Sequence, residues 1–373
     1  MKTFLSALTG IGLFAFPAQA EFSFNTYGRA TGLYGYTDAE KRFEDVDSKQ
    51  NATGDFEAGF EARYDFGDDY ALSLNLDLMS GIDHELKNYN QGAWGEEAYG
   101  IFDSPYGRLM GGQTFNVAKQ FHVGAPSYGP LKVNESDIVD FIRNPNWKRT
   151  SKEAYFATLN ATDINTDGVA PKISYITPEI FNTLIGFSYI PDTYNRRGLT
   201  SKDARYAKKD GYAAAAYNSF DFGFADMTSS AGYAEFHDND KEFSLGLNLA
   251  RGNWNLGGSW RKTYVDGHDI PLSARSKKKD LPALFDNYRE GRVWDVGIGY
   301  EFGPYRASLS YLNSKAENTR NYDQIVILSN SFQVNKYLDL YAIGSFAKFR
   351  GENRDIEHNN QGYAFVTGAS LSF

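Results

Sequence analysis

The side chains best suited to exchange protons near neutral pH are five histidines, at positions 84, 122, 237, 268 and 358. All five fall in polar connecting segments, and none sits beside a serine motif that would present a nucleophile to an oriented base. Asp163-Ile164-Asn165-Thr166-Asp167-Gly168 matches the first half of a calcium loop, with oxygen ligands Asp163, Asn165 and Asp167 at alternate positions. Position twelve of that motif is Ser174 rather than a bidentate glutamate, and no helical pattern flanks it. A turn in a long polar segment is the better reading, and no metal or other cofactor is expected. Cysteine is absent, so neither thiolate chemistry nor disulfides enter.

The N-terminus bounds where the chain works. Lys2, an apolar run from Phe4 to Phe16 and Ala18-Gln19-Ala20 predict a secretory signal peptide over 1–20, leaving a mature chain of 21–373 that begins at Glu21. The run is shorter than the roughly 20 residues a spanning helix needs. No later stretch reaches about 18 consecutive apolar residues, and the mean hydropathy is −0.50. A transmembrane β-barrel meets both conditions, because it alternates lipid-facing apolar residues with lumen-facing polar ones. The composition agrees: 28 Phe, 26 Tyr and 36 Gly against 11 Pro and 4 Met favour strands, tight turns and aromatic girdles. A formal charge of −9, about −10 once Lys2 is removed, argues against nucleic-acid binding.

Alternation is explicit along the chain. Every second residue of Leu72-Ser73-Leu74-Asn75-Leu76-Asp77-Leu78 is leucine, and Phe243, Leu245, Leu247 and Leu249 repeat the pattern. Leu338, Leu340, Ala342, Gly344 and Phe346 form another such row. Segments of this kind predict strands over 22–36, 53–66, 70–82, 94–103, 108–116, 172–178, 184–190, 211–219, 223–236, 242–250, 253–264, 291–302, 305–313, 323–333, 337–349 and 360–373. The fold class is therefore all-β, an antiparallel transmembrane barrel of about 16 strands. Tight turns alternate with longer polar segments near 37–52, 83–93, 117–171, 191–210, 237–241, 265–290, 314–322 and 350–359, which are assigned to the outside. A soluble sandwich or propeller would need a second covering layer or a blade repeat, and neither is visible. Tyr64, Tyr70, Trp254, Trp260, Tyr300, Tyr305 and Tyr311 have the lipid-facing phase and suit interfacial girdles.

Four stretches of this chain resemble the Gram-negative trimeric porins, the sixteen-stranded general-diffusion family. They are Tyr27-Gly28-Arg29-Ala30-Thr31-Gly32, Tyr106-Gly107-Arg108 through Gly111-Gly112-Gln113, Lys172 through Phe181, and the terminal Phe373. The resemblance implies a homotrimer in the outer membrane of a Gram-negative bacterium, each barrel a water-filled channel for passive diffusion of small hydrophilic solutes. It further implies a long third loop folded into the lumen, Phe373 as the assembly signal, and contact with outer-membrane lipid and lipopolysaccharide. The segment 117–171 departs from the enteric subgroup in lacking its Pro-Glu-Phe-Gly-Gly run.

Selectivity in such a channel needs opposed charges across a narrow passage. The loop candidates are Glu135, Asp137 and Asp140, and the wall candidates are Arg29, Arg63, Arg261 and Arg306. Arg63 shares its phase with Glu57 and Glu61, while Lys148 and Arg149 are placed to tie the loop to the wall. The run Arg275-Ser276-Lys277-Lys278-Lys279-Asp280 suits lipopolysaccharide phosphate or a solvated loop. The alternatives are a substrate-selective sugar or anion channel and, from another class, a barrel hydrolase.

Overall fold

The computed structural model describes residues 21–40, 49–67, 69–80, 97–145, 158–192, 210–236, 240–264, 290–317, 320–351 and 359–373. The expected signal peptide, Lys148 and Arg149, the 275–280 run and histidines 84, 237, 268 and 358 lie outside these residues.

Period-two alternation can bury one face only if every strand edge is paired, and this chain pairs them all by closing on itself. The strands are β1 (Glu21–Ala39), β2 (Gln50–Gly67), β3 (Tyr70–Ser80), β4 (Glu97–Ser104), β5 (Gly107–Gln113), β6 (Pro171–Ile176), β7 (Thr183–Ile190) and β8 (Gly211–Asp221). They continue as β9 (Asp226–Phe236), β10 (Asp240–Arg251), β11 (Trp254–Tyr264), β12 (Gly291–Phe302), β13 (Tyr305–Ala316), β14 (Tyr322–Asn335), β15 (Leu338–Arg350) and β16 (Asn360–Ser372). Each is antiparallel to its sequence neighbours, and β16 returns to β1, closing the barrel in register from Arg29 opposite Ser372 to Ala39 opposite Gly362. The sixteen expected strands are thus present, with shifted ends. β9 starts at Asp226 rather than 223, because Gly223 turns with φ 79° and its N–H donates to Asp221 Oδ1 at 2.5 Å. β5 stops at Gln113, three residues early, because Asn116 caps a helix.

On β3 the leucines Leu72 and Leu74 are exposed while Ala71 and Ser73 are buried, and the same alternation runs along β10, β12, β14 and β16. The exposed apolar row meets its solvent in lipid, so aromatic pairs collect at the strand ends. Near the tight turns these include Phe24 and Phe60 at 4.3 Å, Trp254 and Tyr300 at 4.6 Å, and Tyr305 and Phe332 at 4.6 Å. Near the long loops they include Trp294 and Tyr311 at 5.3 Å and Phe346 and Tyr363 at 4.9 Å.

The chain end closes the seam. Phe373 N–H donates to the Gly28 carbonyl at 3.0 Å, Gly28 N–H donates to the Phe373 carbonyl at 2.9 Å, and the Phe373 ring lies over Gly28 so closely that a Cβ there would collide with it. Gly28→Val is therefore expected to lower the yield of folded, heat-modifiable barrel severalfold, whereas Gly32→Val, with open space around it, should fold normally. Equal folding of the two variants would remove the ring contact from barrel closure.

Candidate functional site

Between β5 and β6 the chain leaves the wall. Asn116 Oδ1 accepts from Ala118 N (2.8 Å) and Lys119 N (3.0 Å), starting the short helix α1 (Val117–Gln120), and two 3-10 turns follow at Val133–Glu135 and Asp137–Asp140. Every backbone group of this irregular segment needs a partner, and the wall supplies many from its buried-parity residues. Val117 N–H donates to Ser188 Oγ (3.0 Å), Val123 N–H to Ser230 Oγ (3.0 Å), Ala125 N–H to Asp295 Oδ1 (2.9 Å) and Tyr128 N–H to Ser308 Oγ (3.1 Å). Asn360 Nδ2 donates to the Arg143 carbonyl (2.8 Å), and Asn51 Nδ2 to the Asp140 carbonyl (3.1 Å). Contacts thus run from β7 round to β16 and on to β2.

Small wall residues permit the approach. A Cβ on Gly246 would collide with the Val123 carbonyl, and one on Gly299 would lie 2.7 Å from the Tyr128 ring. Two apolar clusters complete the seat. One joins Leu131, Ile138, Phe141 and Ile142 to Val293, Leu312, Ile325 and Ile343, and the other joins Val117, Phe121 and Ile164 to Ile190, Ala213 and Phe236.

Charge fastens the returning strand of the segment. Arg261 is 2% exposed and holds Glu242 Oε2 through Nε (2.9 Å) and Nη2 (2.6 Å). Its remaining N–H groups reach Thr166 Oγ1 (2.9 Å) and the Ala161 carbonyl (3.3 Å). Lys172 pairs with Asp167 Oδ2 at 3.0 Å and donates to the Gly168 carbonyl at 3.0 Å, while Lys119 pairs with Asp163. The carboxylates of the calcium-like stretch therefore face lysines, and Asn165 is buried beside them. No group of three or more His, Asp or Glu side chains suited to a metal occurs among the described residues. Asp163 is held at about 2: burial opposes ionisation, but Lys119 and His122 outweigh it.

The other expected residues divide. Glu135 lies between Lys119 and Lys132, at 3.4 Å from each, and Asp137 accepts the Lys132 N–H at 2.8 Å. Asp140 closes the second 3-10 turn. Arg306 pairs with Asp339 at 3.3 Å. Arg29 pairs with Glu57 at 3.2 Å, and Arg63 with Asp103 at 3.0 Å, where Arg108 joins it at 2.7 Å.

These last pairs belong to a different wall. The buried-parity residues of β2 to β5 are mostly half-exposed, whereas those of β10 to β16 are largely buried. Glu61, Asp77 and Glu97 make no ion pair among the described residues, and Asp77 stands directly opposite Glu97. Tyr27 donates to Asp77, and Thr114 donates to Glu97 at 2.7 Å. Asp77 and Glu97 are acids of this wall that sequence alone did not single out, although the gaps in the leucine row of β3 already put Asp77 on the polar face.

His122 gives the seat a pH dependence. Its Nε2 is 3.1 Å from Thr162 Oγ1, and burial holds the ring below its ordinary 6.5, against the pull of Asp163, Asp295 and Glu135 and with the help of Lys119. A lowered pKa means that the docked segment prefers the neutral ring. Docking is complete above pH 6.5 and weakens as the pH falls toward the docked value, because the released segment takes the proton first. Protection of the Val123 and Ala125 amides, taken relative to the intrinsic exchange rate at each pH, is expected to fall as the pH drops below 6.5. His122→Gln should flatten that dependence, and an unchanged profile in the variant would assign it elsewhere.

The comparisons with known proteins agree with this geometry. A family model described as Gram-negative porin matches residues 6–352. Among solved structures, the anion-selective porin from Comamonas acidovorans superposes with a TM-score of 0.59 at 15% identity, covering 95% of this chain and 100% of that one. Salmonella typhi OmpF, in complex with daunomycin, gives 0.59 at 13% identity over 94% of this chain and 97% of its own. Vibrio cholerae OmpT in its trimer form gives 0.58 at 12% identity, covering 94% and 99%. No curated protein sequence matches the chain. A closed sixteen-stranded barrel and a family match over nearly its whole length leave one conclusion: the chain belongs to the Gram-negative porins.

Proposed function

We propose that residues 21–373, freed of the signal peptide, form an outer-membrane homotrimer whose barrels pass small hydrophilic solutes, with cations favoured. The family and the fold support an outer-membrane channel for passive diffusion and point away from an enzyme. The observation that carries the finer reading is the unequal cover of the wall. In this reading the described parts of the segment, 114–145 and 158–170, fold into the lumen against β7 to β16 and reach β2 at Asn51, and the passage runs along the half-exposed face of β2 to β5. The lumenal placement is supported by loop bonds to wall residues on many strands, all of the parity opposite to the lipid-facing row.

In this reading Arg29 and Arg63 line the passage, with Glu57, Glu61, Asp77 and Glu97 around them. Glu135, Asp137 and Asp140 face it from the loop, neutralised in part by Lys119 and Lys132. Arg306 and Asp339 lie toward the turn end, and Arg261 acts by holding the loop. Trimer formation is supported by the trimeric relative and by small outward residues, Ala30, Gly32, Ala342 and Gly344, that let a second barrel approach. Phe373 serves as the assembly signal.

The test is reconstitution of the mature chain in a planar bilayer. Ohmic steps grouped in threes and a cation-sided reversal potential in a KCl gradient are expected. Failure of a folded barrel to conduct would overturn the channel, and saturable block by one sugar or anion would replace general diffusion with substrate selectivity.

A further inference from the structure

On the lipid-facing side, near the long-loop end, the register brings like charges together. Lys262 on β11 stands directly opposite Arg292 on β12, and Arg292 directly opposite Lys315 on β13. The row continues through Tyr322 on β14 to Arg350 on β15. Lys348 lies one step below, with its Nζ 5.9 Å from the Tyr322 ring. Like charges directly opposed on one face of a sheet repel, and here three are consecutive across three strands. Among the described residues none of Lys262, Arg292 and Lys315 has an ion-pair partner. Lys262 Nζ sits over the Tyr264 ring at 4.3 Å, and Arg350 Nη2 donates to Gln361 Oε1 at 3.2 Å. Among the described residues the acids Glu290 and Glu317 stand above the row on the loop side, where Glu317 N–H donates to the Glu290 carbonyl at 3.0 Å and the Lys262 charge acts on Glu290.

A second observation sets the depth. The level below the row is Trp260 opposite Trp294, with Trp294 5.3 Å from Tyr311. Paired tryptophans and tyrosines mark the boundary between hydrocarbon and headgroups. Cations one step beyond them lie at the level of lipid phosphates, pointing outward and away from the pore.

We propose that this row, Lys262, Arg292 and Lys315 flanked by Lys348 and Arg350, is a docking surface for a phosphate-bearing lipid headgroup of the outer leaflet. It rests on the membrane placement proposed above and needs nothing from the channel's selectivity. Phosphate oxygens accept several charge-assisted hydrogen bonds at once, and the guanidinium of Arg292, central in the row, presents a planar donor fork between two ammonium groups. The bound phosphate would convert the mutual repulsion of the row into shared attraction, and β11 to β13 would be tied together through the lipid.

The test compares folded barrels in phosphatidylcholine nanodiscs to which bisphosphorylated or dephosphorylated lipid A is added. Native mass spectrometry counts retained lipid, and thermal denaturation measures stabilisation. The wild type is expected to retain the bisphosphorylated lipid and melt at higher temperature with it, but to respond to neither the dephosphorylated lipid nor inorganic phosphate. Retention should fall about fivefold for each charge removed by Lys262→Gln, Arg292→Gln or Lys315→Gln. The triple variant should be at least as stable as the wild type in phosphatidylcholine alone, since the repulsion is gone, which separates loss of binding from loss of fold. Undiminished retention by the folded triple variant, or equal retention of both lipids by the wild type, would overturn the proposal. Response to inorganic phosphate alone would reassign the row to free anions. Conductance recorded on the same samples tests the channel independently.

Discussion

Arg261→Met, with Glu242 left in place, is expected to release the 158–170 stretch from the wall and to raise single-channel conductance. Arg261 is enclosed, and its N–H groups meet the loop at the Ala161 carbonyl and at Thr166 Oγ1. Its removal leaves the Glu242 carboxylate, 2% exposed, without its ion-pair partner and with the Thr166 hydroxyl as its remaining donor, and takes the Arg261 bond from the Ala161 carbonyl. Breaking one partner of a buried pair costs about 3–5 kcal/mol, more than the docking of a short stretch can absorb. The wall itself should survive, because β10 and β11 keep their ladder from Lys241 opposite Tyr264 to Arg251 opposite Trp254. The combined variant Arg261→Met/Glu242→Leu, which leaves no buried charge, should recover most of the docking. Conductance, amide exchange at residues 158–170 and thermal denaturation, read as a double-mutant cycle, check this. If the single variant conducts and exchanges like the wild type, Arg261 does not hold the loop.

How far such a residue is legible in sequence depends on which interactions are local. The strands were, because lipid outside and water inside impose a period of two that local reading detects. Their ends were not, since they depend on turn details such as the left-handed Gly223 that starts β9 late. Phase alone puts Arg261 on the inner face, but its partner Glu242 emerges only from the β10 to β11 register, in which Ser244 opposes Arg261 and Glu242 opposes Thr263. Tight closure at Arg251-Gly252 would have predicted that register. The loop acids are different in kind. Glu135 reads as a free carboxylate in sequence, and its neighbour Lys119 comes from a helix sixteen residues away whose position the wall decides. Seating on Gly246 and Gly299 is likewise invisible until the loop path is known.

The same unequal packing sets the expected ion preference. Where the loop covers the wall, Glu242 is matched by Arg261, Asp167 by Lys172 and Asp163 by Lys119, while Asp295 is enclosed by donors from Ala125, Thr162 and Ser259. Where it does not, Asp103 is shared by Arg63 and Arg108 and Glu57 faces Arg29, but Glu61, Asp77 and Glu97 stand without an ion-pair partner among the described residues. Asp77 and Glu97, opposed across β3 and β4, repel each other until a mobile cation passes between them. A unit charge acting at about 4 Å through water is worth about 1 kcal/mol, and more where the wall lowers the local dielectric. Neutralising the set by Glu61→Gln, Asp77→Asn and Glu97→Gln is therefore expected to reduce the cation-over-anion permeability ratio at least about fivefold. Glu179→Gln, in the exposed turn between β6 and β7, makes one of the same charge changes off the wall and should leave the ratio unaltered. Screening gives a second check, because the Debye length falls from about 10 Å at 0.1 M salt to about 3 Å at 1 M. The wild-type preference should then shrink toward that of the neutralised variant as salt rises. A reversal potential that is anion-sided in the wild type, or unmoved by the three substitutions, would mean that the β2 to β5 wall does not govern permeation.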